Sequence, residues 1–220
     1  MRINAGFVVL FAIGSMLSCS QEKLDTPVED DWVEPGYEDA AAYLQLQPGN
    51  YWVYESYSVN LETGEVTPLH KRDSIYVLKD TLIGRSDYFI LEGSRLGQEY
   101  RTVLRCSGPE AMDPEGHLLF STALTGDTID LPDGLLPEGA QSGDVCIKLA
   151  EGIEVPYGTF DALEYRRTFY LASSEDIKTG GNSRHQSDFY AKGIGLIQYT
   201  SFFHDQPLDI EMRLVRCNVQ

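Results

Sequence analysis

The histidines, carboxylates and hydroxyls of this chain are the residues whose types could carry nucleophilic, acid–base or metal chemistry, and their spacing supports little of it. His70, His117, His185 and His204 lie far apart, and none has a second His or Cys at metal-ligand spacing. Gly181-Asn182-Ser183-Arg184-His185 begins like a nucleophile elbow. It ends in His where that motif needs Gly, and it lacks the strand-to-helix setting that exposes the serine. His204-Asp205 has the composition of an acid–base pair but reads better as a turn after an apolar strand. Asp127, Asp130 and Asp133 with Gly134 offer oxygen ligands to Ca²⁺, though not at the every-other-residue spacing of an EF-hand loop. Gly193-Ile194-Gly195 lacks the third glycine, the lysine and the βαβ context of a phosphate loop. Asp161 and Glu164 would suit glycoside hydrolysis only at the right gap between carboxyls. The sequence thus supplies no catalytic residue, no metal site and no cofactor motif.

Cysteine gives the clearer chemistry. Arg2 precedes an apolar stretch from Phe7 to Leu17, and Met16-Leu17-Ser18-Cys19 looks like the lipobox of a bacterial lipoprotein, cut before the cysteine. Met stands where Leu is usual, three residues before Cys19. The stretch is too short to span a bilayer. The expectation is a signal peptide over residues 1–18, lipid attachment at Cys19, and a flexible acidic tether over 19–38. That tether carries Asp25, Glu29, Asp30, Asp31 and Glu34 with two prolines, a composition that stays solvated and self-repelling. Three cysteines then remain. Cys106, Cys146 and Cys217 allow three alternative single disulfides, or three buried thiols, and no C-x-x-C redox pair is present.

Charge narrows the partners. The chain has 34 Asp+Glu against 17 Lys+Arg, one of which is Arg2 in the expected signal peptide. Nucleic acid is excluded as a partner because its binding runs on a basic patch that neutralises phosphates. A polybasic membrane contact is excluded for the same reason, which leaves the lipid on Cys19 as the membrane attachment.

The elements that must position any site are strands. From Leu46 onward, short runs rich in β-branched and aromatic residues alternate with turn chemistry, and no helical period of ten residues or more competes. Expected strands are Tyr51–Val59, Asp73–Leu78, Leu78–Ile83, Tyr88–Leu91, Tyr100–Cys106, Gly116–Ser121, Asp127–Leu131, Val145–Val155, Leu163–Leu171, Gly195–Phe203 and Asp209–Val215. Turns fall at Glu62-Thr63-Gly64-Glu65 and Gly84-Arg85-Ser86-Asp87. Without crossover helices such strands pair mainly antiparallel. Residues 39–220 therefore read as a single all-β domain: one curved antiparallel sheet, half-barrel or barrel-like, with a β-sandwich as the alternative. Helix is expected only for Tyr37–Leu44. Cys106–His117 and Leu131–Gly143 read as long connections, and Ser173–Arg184 as a mobile hairpin tip.

Three segments in order, Pro48-Gly49-Asn50-Tyr51-Trp52-Val53-Tyr54, Val155-Pro156-Tyr157-Gly158-Thr159-Phe160 and Tyr190-Ala191-Lys192-Gly193-Ile194-Gly195-Leu196-Ile197, resemble a large group of uncharacterised Bacteroidetes lipoproteins with GNYWVY, VPxGTF and YAKGVGLV segments. The resemblance implies an anchored all-β envelope protein shaped like the open half-barrels of lipoprotein carriers, and it brings no catalytic residues. Within that group, Asp73-Ser74-Ile75, Asp80-Thr81-Leu82 and Asp127-Thr128-Ile129 are similar to acceptors for O-glycosylation. Read from the residues themselves, Gly193 and Gly195 mark a bulge or a close backbone approach. Alternation puts Trp52 and Tyr54 on one face, where they are candidates to stack on a sugar or an apolar ligand.

These readings combine into a non-enzymatic, outer-membrane, lipid-anchored binding or structural component, its ligand a glycan, lipid or protein, on the periplasmic or the cell-surface side. The competing class is a hydrolase of envelope or dietary glycans using carboxylates from the two long connections. It requires two convergent acids with perturbed proton affinity in a cleft.

Overall fold

The computed structural model of the chain describes residues 37–129, 140–171, 183–203 and 206–220. The expected signal peptide, Cys19 and the tether up to residue 36 lie outside the described residues, as do Asp130, Asp133, Gly134, Gly181, Asn182, His204 and Asp205.

Turn residues spaced along β-rich sequence make each strand fold back on its predecessor. The strands are β1 (Tyr51–Asn60), β2 (Val66–Ile83), β3 (Ser86–Arg95), β4 (Gln98–Ser107), β5 (Glu110–Met112), β6 (Leu118–Ser121), β7 (Thr128–Ile129), β8 (Ala140–Val155), β9 (Gly158–Leu171), β10 (Ser183–Ala191), β11 (Gly195–Phe202) and β12 (Leu208–Asn218). They form one sheet in the order β6-β5-β4-β3-β2-β1-β12-β11-β10-β9-β8-β7. Every pairing among the described residues is antiparallel. Gly84, at φ +65°, makes the two-residue turn that sets Ile83 opposite Ser86. Among these strands only β1 and β12 pair across a long sequence separation, from Tyr51 opposite Asn218 to Asn60 opposite Leu208. The fold is the expected all-β, single-sheet half-barrel.

The sheet curls because its ends pack inward. At the β6 end, the Ser121 N–H donates to the Tyr165 hydroxyl at 2.8 Å, and that hydroxyl donates back to the Ser121 carbonyl at 2.7 Å. One side chain on β9 thereby satisfies the open edge of β6, which would otherwise present unpaired backbone. Phe120 stacks on Tyr165 with ring centroids 4.9 Å apart and meets Tyr190 edge-on at 5.1 Å. At the other end, the β8–β9 hairpin bends at the register shift between Ala150 and Ile153 and reaches β12, where the Tyr157 N–H donates to the Leu214 carbonyl at 3.0 Å.

Several expectations are corrected. β2 is a single 18-residue strand rather than two, because a bulge at Leu78, between Val77 and Lys79, lets it bend without breaking. Ser183–Ala191, whose start has the composition of a mobile tip, is the nine-residue strand β10. Its polar Ser-Arg-His-Gln-Ser run hides the strand because buried polar partners, not apolar alternation, hold it. Arg184 donates to the carbonyls of Phe203, Gln206 and Leu208 and pairs with Asp209 at 2.6 Å. β5 lies inside the stretch expected to be a connection. Among the described residues helix is confined to α1 (Ala41–Leu44), where Asp39 Oδ1 accepts from the Ala41 N–H at 2.9 Å.

Candidate functional site

The inner face of the sheet forms a partly open cavity of about 200 Å³ lined by residues of β1–β4, β6, β10 and β11. Alternation on β1 sends Trp52 and Tyr54 to this face, and both are buried. The Trp52 indole N–H donates to the Ile194 carbonyl at 2.6 Å, and the Tyr54 hydroxyl to the Leu196 carbonyl at 2.8 Å. Between those carbonyls lies Gly195, at φ +100°, where an added Cβ would sit 2.9 Å from Trp52 Nε1. The expected close approach is therefore made against Trp52. Neither ring presents an open stacking face on the outside of the sheet; both are cavity wall.

The three ordered segments of the sequence converge here. Trp52, Tyr54, Val155, Ala191, Leu196 and Ile197 belong to one buried cluster, with Phe160 and Ile194 packed against it. Asn50 completes the junction: fully buried, it donates to the Gln45 carbonyl at 2.8 Å and accepts from the Gln220 N–H at 3.1 Å. The chain leaving α1 covers the cavity with Leu44 and Leu46. It is held there by the Gly193 N–H on the Ala42 carbonyl and the Ala40 N–H on the Gly108 carbonyl, and Tyr43 lies 6.0 Å from Phe120. Glu38 accepts from Lys192 and from Tyr43. These contacts hold Glu38 below the usual carboxylate range and push the Tyr43 phenol, already burdened by burial, up to about 12.

The cavity lining mixes two chemistries. Leu44, Leu46, Leu119, Phe120 and Leu196 are apolar wall. Arg95, also in the lining, pairs with Asp188 and lies over the Tyr199 ring at 4.6 Å. Burial disfavours its charge, but Asp188, with Tyr190 and Tyr100 nearby, outweighs that cost and holds the guanidinium protonated. The Arg95 side chain keeps 27% of its surface accessible and is part of the cavity lining. Behind it the Tyr199 hydroxyl donates to Asp73 at 2.9 Å, and the Gly97 N–H donates to the same carboxylate. Burial raises the phenols of Tyr54, Tyr100, Tyr190 and Tyr199, so they remain neutral donors.

Elsewhere the sequence candidates do not converge. Glu164 is buried and accepts from Ser187 at 2.7 Å and Arg166 at 2.7 Å, with Lys148 at 3.2 Å, whereas Asp161 accepts from the Gly152 N–H at 3.0 Å. Burial alone would raise Glu164, but its three partners lower it. Ser183 and His185 lie in regular β9–β10 pairing, and His185 meets Thr168 at 3.2 Å. Asp113, Glu115 and His117 gather their ligand atoms within 4.8 Å, a group hidden in the sequence because it holds a single His and no Cys. Asp113 is already committed to the ring and the backbone N–H of His117, at 2.7 and 2.8 Å. Of the O-glycosylation candidates, Ser74 is exposed between the buried Asp73 and Ile75. Cys106, Cys146 and Cys217 form no disulfide, and burial pushes the Cys106 thiol up to about 12.

No family model matches the chain, and no curated protein matches it. Two solved structures are similar in fold. One is an exported-protein candidate with a YmcC-like fold from Bacteroides fragilis, at 12% identity and a TM-score of 0.42, covering 80% of this chain and 98% of that one. The other is a lipoprotein candidate from Parabacteroides distasonis, at 12% identity and a TM-score of 0.41, covering 80% and 99%.

Proposed function

We propose that the chain is an outer-membrane lipoprotein, attached through Cys19, that acts as a non-catalytic binding component with the cavity beneath α1 as its ligand site. The observation that carries this reading is the cavity itself. A core filled only for stability would close such a space with larger side chains, and Thr102 and Leu104 on its wall leave room for them.

Hydrolysis is the less supported reading. A general acid needs a raised carboxyl. The described carboxyls with a resolved shift, Glu38, Asp113 and Glu164, are all lowered, and the acids beside the cavity, Asp73 and Asp188, are tied to Tyr199, Gly97 and Arg95.

The test is native mass spectrometry of the full chain purified from its own host under mild conditions, beside a Leu104→Trp variant that fills the cavity. A small-molecule adduct on the wild type that is lost on the variant is the expected result. Equal spectra, with or without an adduct, would remove the cavity as the binding site.

A further inference from the structure

The walls of the cavity specify the class of ligand as well as its place, an inference that rests on the binding reading above. Besides Tyr54, whose hydroxyl is committed to the Leu196 carbonyl, three hydroxyl-bearing residues line the space: Tyr100 and Thr102 on β4 and Tyr190 on β10. Tyr100 lies beside the Arg95 guanidinium, which can only donate, so their contact uses no hydrogen of the Tyr100 hydroxyl. Among the described residues, neither the Thr102 nor the Tyr190 hydroxyl is a buried orphan, so each is either partnered or open to the space it lines. Donors at the edge of an apolar chamber call for an acceptor oxygen on whatever fills it.

Charge then selects among acceptors. Arg95 is the one cation among the described residues lining the cavity, and Asp188 is already paired with it. Asp73 stands one residue further back, behind Tyr199. A carboxylate or phosphate ligand would have to share Arg95 with Asp188 and face Asp73 as well. An ammonium would be stripped of water in a chamber whose acids are already spoken for. An uncharged oxygen meets neither cost.

Size and shape narrow the ligand body. An engineered apolar cavity of about 150 Å³ holds a benzene molecule. The space here, about 200 Å³, has room for one ring with a small substituent, so a larger ligand would seat only one such unit in it. The rings of Trp52, Tyr54, Phe120 and Tyr190 give it aromatic walls. A monosaccharide would leave several hydroxyls against Leu44, Leu46, Leu119 and Leu196 without partners.

We infer that the cavity takes an uncharged single-ring ligand of the phenol or aryl-ketone class, its ring between Trp52, Phe120 and the leucines and its oxygen at Tyr100, Thr102 and Tyr190.

The test uses three probes of one shape, 4-methylphenol, 4-methylbenzoate and 4-methylbenzylamine, titrated at neutral pH into the full chain carrying Cys19→Ser. The readout is the indole N–H resonance of Trp52, distinguished from that of Trp32 by a Trp32→Phe variant. The phenol is expected to shift the Trp52 resonance saturably and to bind about tenfold or more tighter than either charged probe. Thr102→Leu, which removes a donor and fills space, is expected to weaken phenol binding by about tenfold, and Leu104→Trp to abolish it. If Leu104→Trp does not fold, Thr102→Leu decides alone. Equal or tighter binding of the benzoate or the amine would overturn the neutral-ligand inference while leaving the cavity as a binding site. Failure of all three to shift Trp52 would overturn both, and so would phenol binding unchanged by the cavity variants.

Discussion

Replacing Gly195 with Ala tests the packing that joins the three ordered segments. The added Cβ would lie 2.9 Å from Trp52 Nε1, closer than real Cβ contacts come, and 3.0 Å from Cε2 and Cζ2, tighter than most of them. Relief requires the indole to move, and its N–H donates at 2.6 Å to the carbonyl of the residue just before Gly195, so movement breaks that bond. Three costs add. A non-glycine residue at φ +100° costs roughly 1–2 kcal/mol, overpacking roughly 1–3, and an orphaned buried N–H roughly 1–3. Their full sum is about 3–8 kcal/mol, and because moving the indole relieves part of the overpacking the expected destabilisation lies near its low end, about 4 kcal/mol, or about 8–16 °C in Tm for a chain of this size. Urea unfolding followed by circular dichroism measures it, and a double-mutant cycle with Trp52→Phe locates it. With the indole removed only the backbone cost remains, so Gly195→Ala should cost about 1–2 kcal/mol there and the coupling should be about 2 kcal/mol. A cost below about 1 kcal/mol in the wild-type background, or the same cost in both backgrounds, would refute the packing argument.

Tyr165→Phe removes both bonds to Ser121 and should cost about 1–3 kcal/mol, with faster hydrogen exchange at the Ser121 amide as its local signature. The Glu164 carboxyl is lowered in the folded state, so its pairing stabilises above the unfolded value of 4.5 and is lost as pH falls below that and through the lower folded value. The Tm difference between wild type and Glu164→Gln should therefore be full near pH 7 and shrink in that acid range. Cys106, held up to about 12 by burial, should react with a disulfide reagent at pH 8 far more slowly in the folded chain than in urea, and equal rates would contradict its buried setting.

Much of the architecture was legible because local chemistry decides it. The turns at Gly64 and Gly84, the alternation of β1 and the close approach at Gly195 are all visible in the sequence. β10 was not, since its strand is held by Arg184 reaching three carbonyls and by Ser187 donating to Glu164, contacts with partners remote in sequence. Gly93 was equally hidden, although an added Cβ there would fall 1.9 Å from the Ser74 carbonyl oxygen on the neighbouring strand. Trp52 and Tyr54 were singled out for their faces, but their setting depended on which face of β1 the sheet would enclose. The polar cluster beside the cavity could not be read in advance, because Asp73, Arg95, Asp188 and Tyr199 come from four strands and meet only once the sheet has curled.

The outermost strands of the sheet, β6 and β7, are consecutive in the chain, and the pairing of greatest sequence separation, β1 with β12, lies at its middle. The ladder is therefore a ring of neighbours opened at one place and stitched at another. Folding must close the longest loop to make a central seam, and loop-closure entropy makes such a step late and slow. A permuted chain that begins at β7 and runs through a short linker from β12 into β1 would turn that seam into one more local hairpin. With the same contacts and a lower contact order, it should fold faster than the natural order while unfolding at a similar rate. In the natural chain the seam carries Trp52, Tyr54 and Leu214, so the step that completes the sheet is the same step that builds the wall of the cavity.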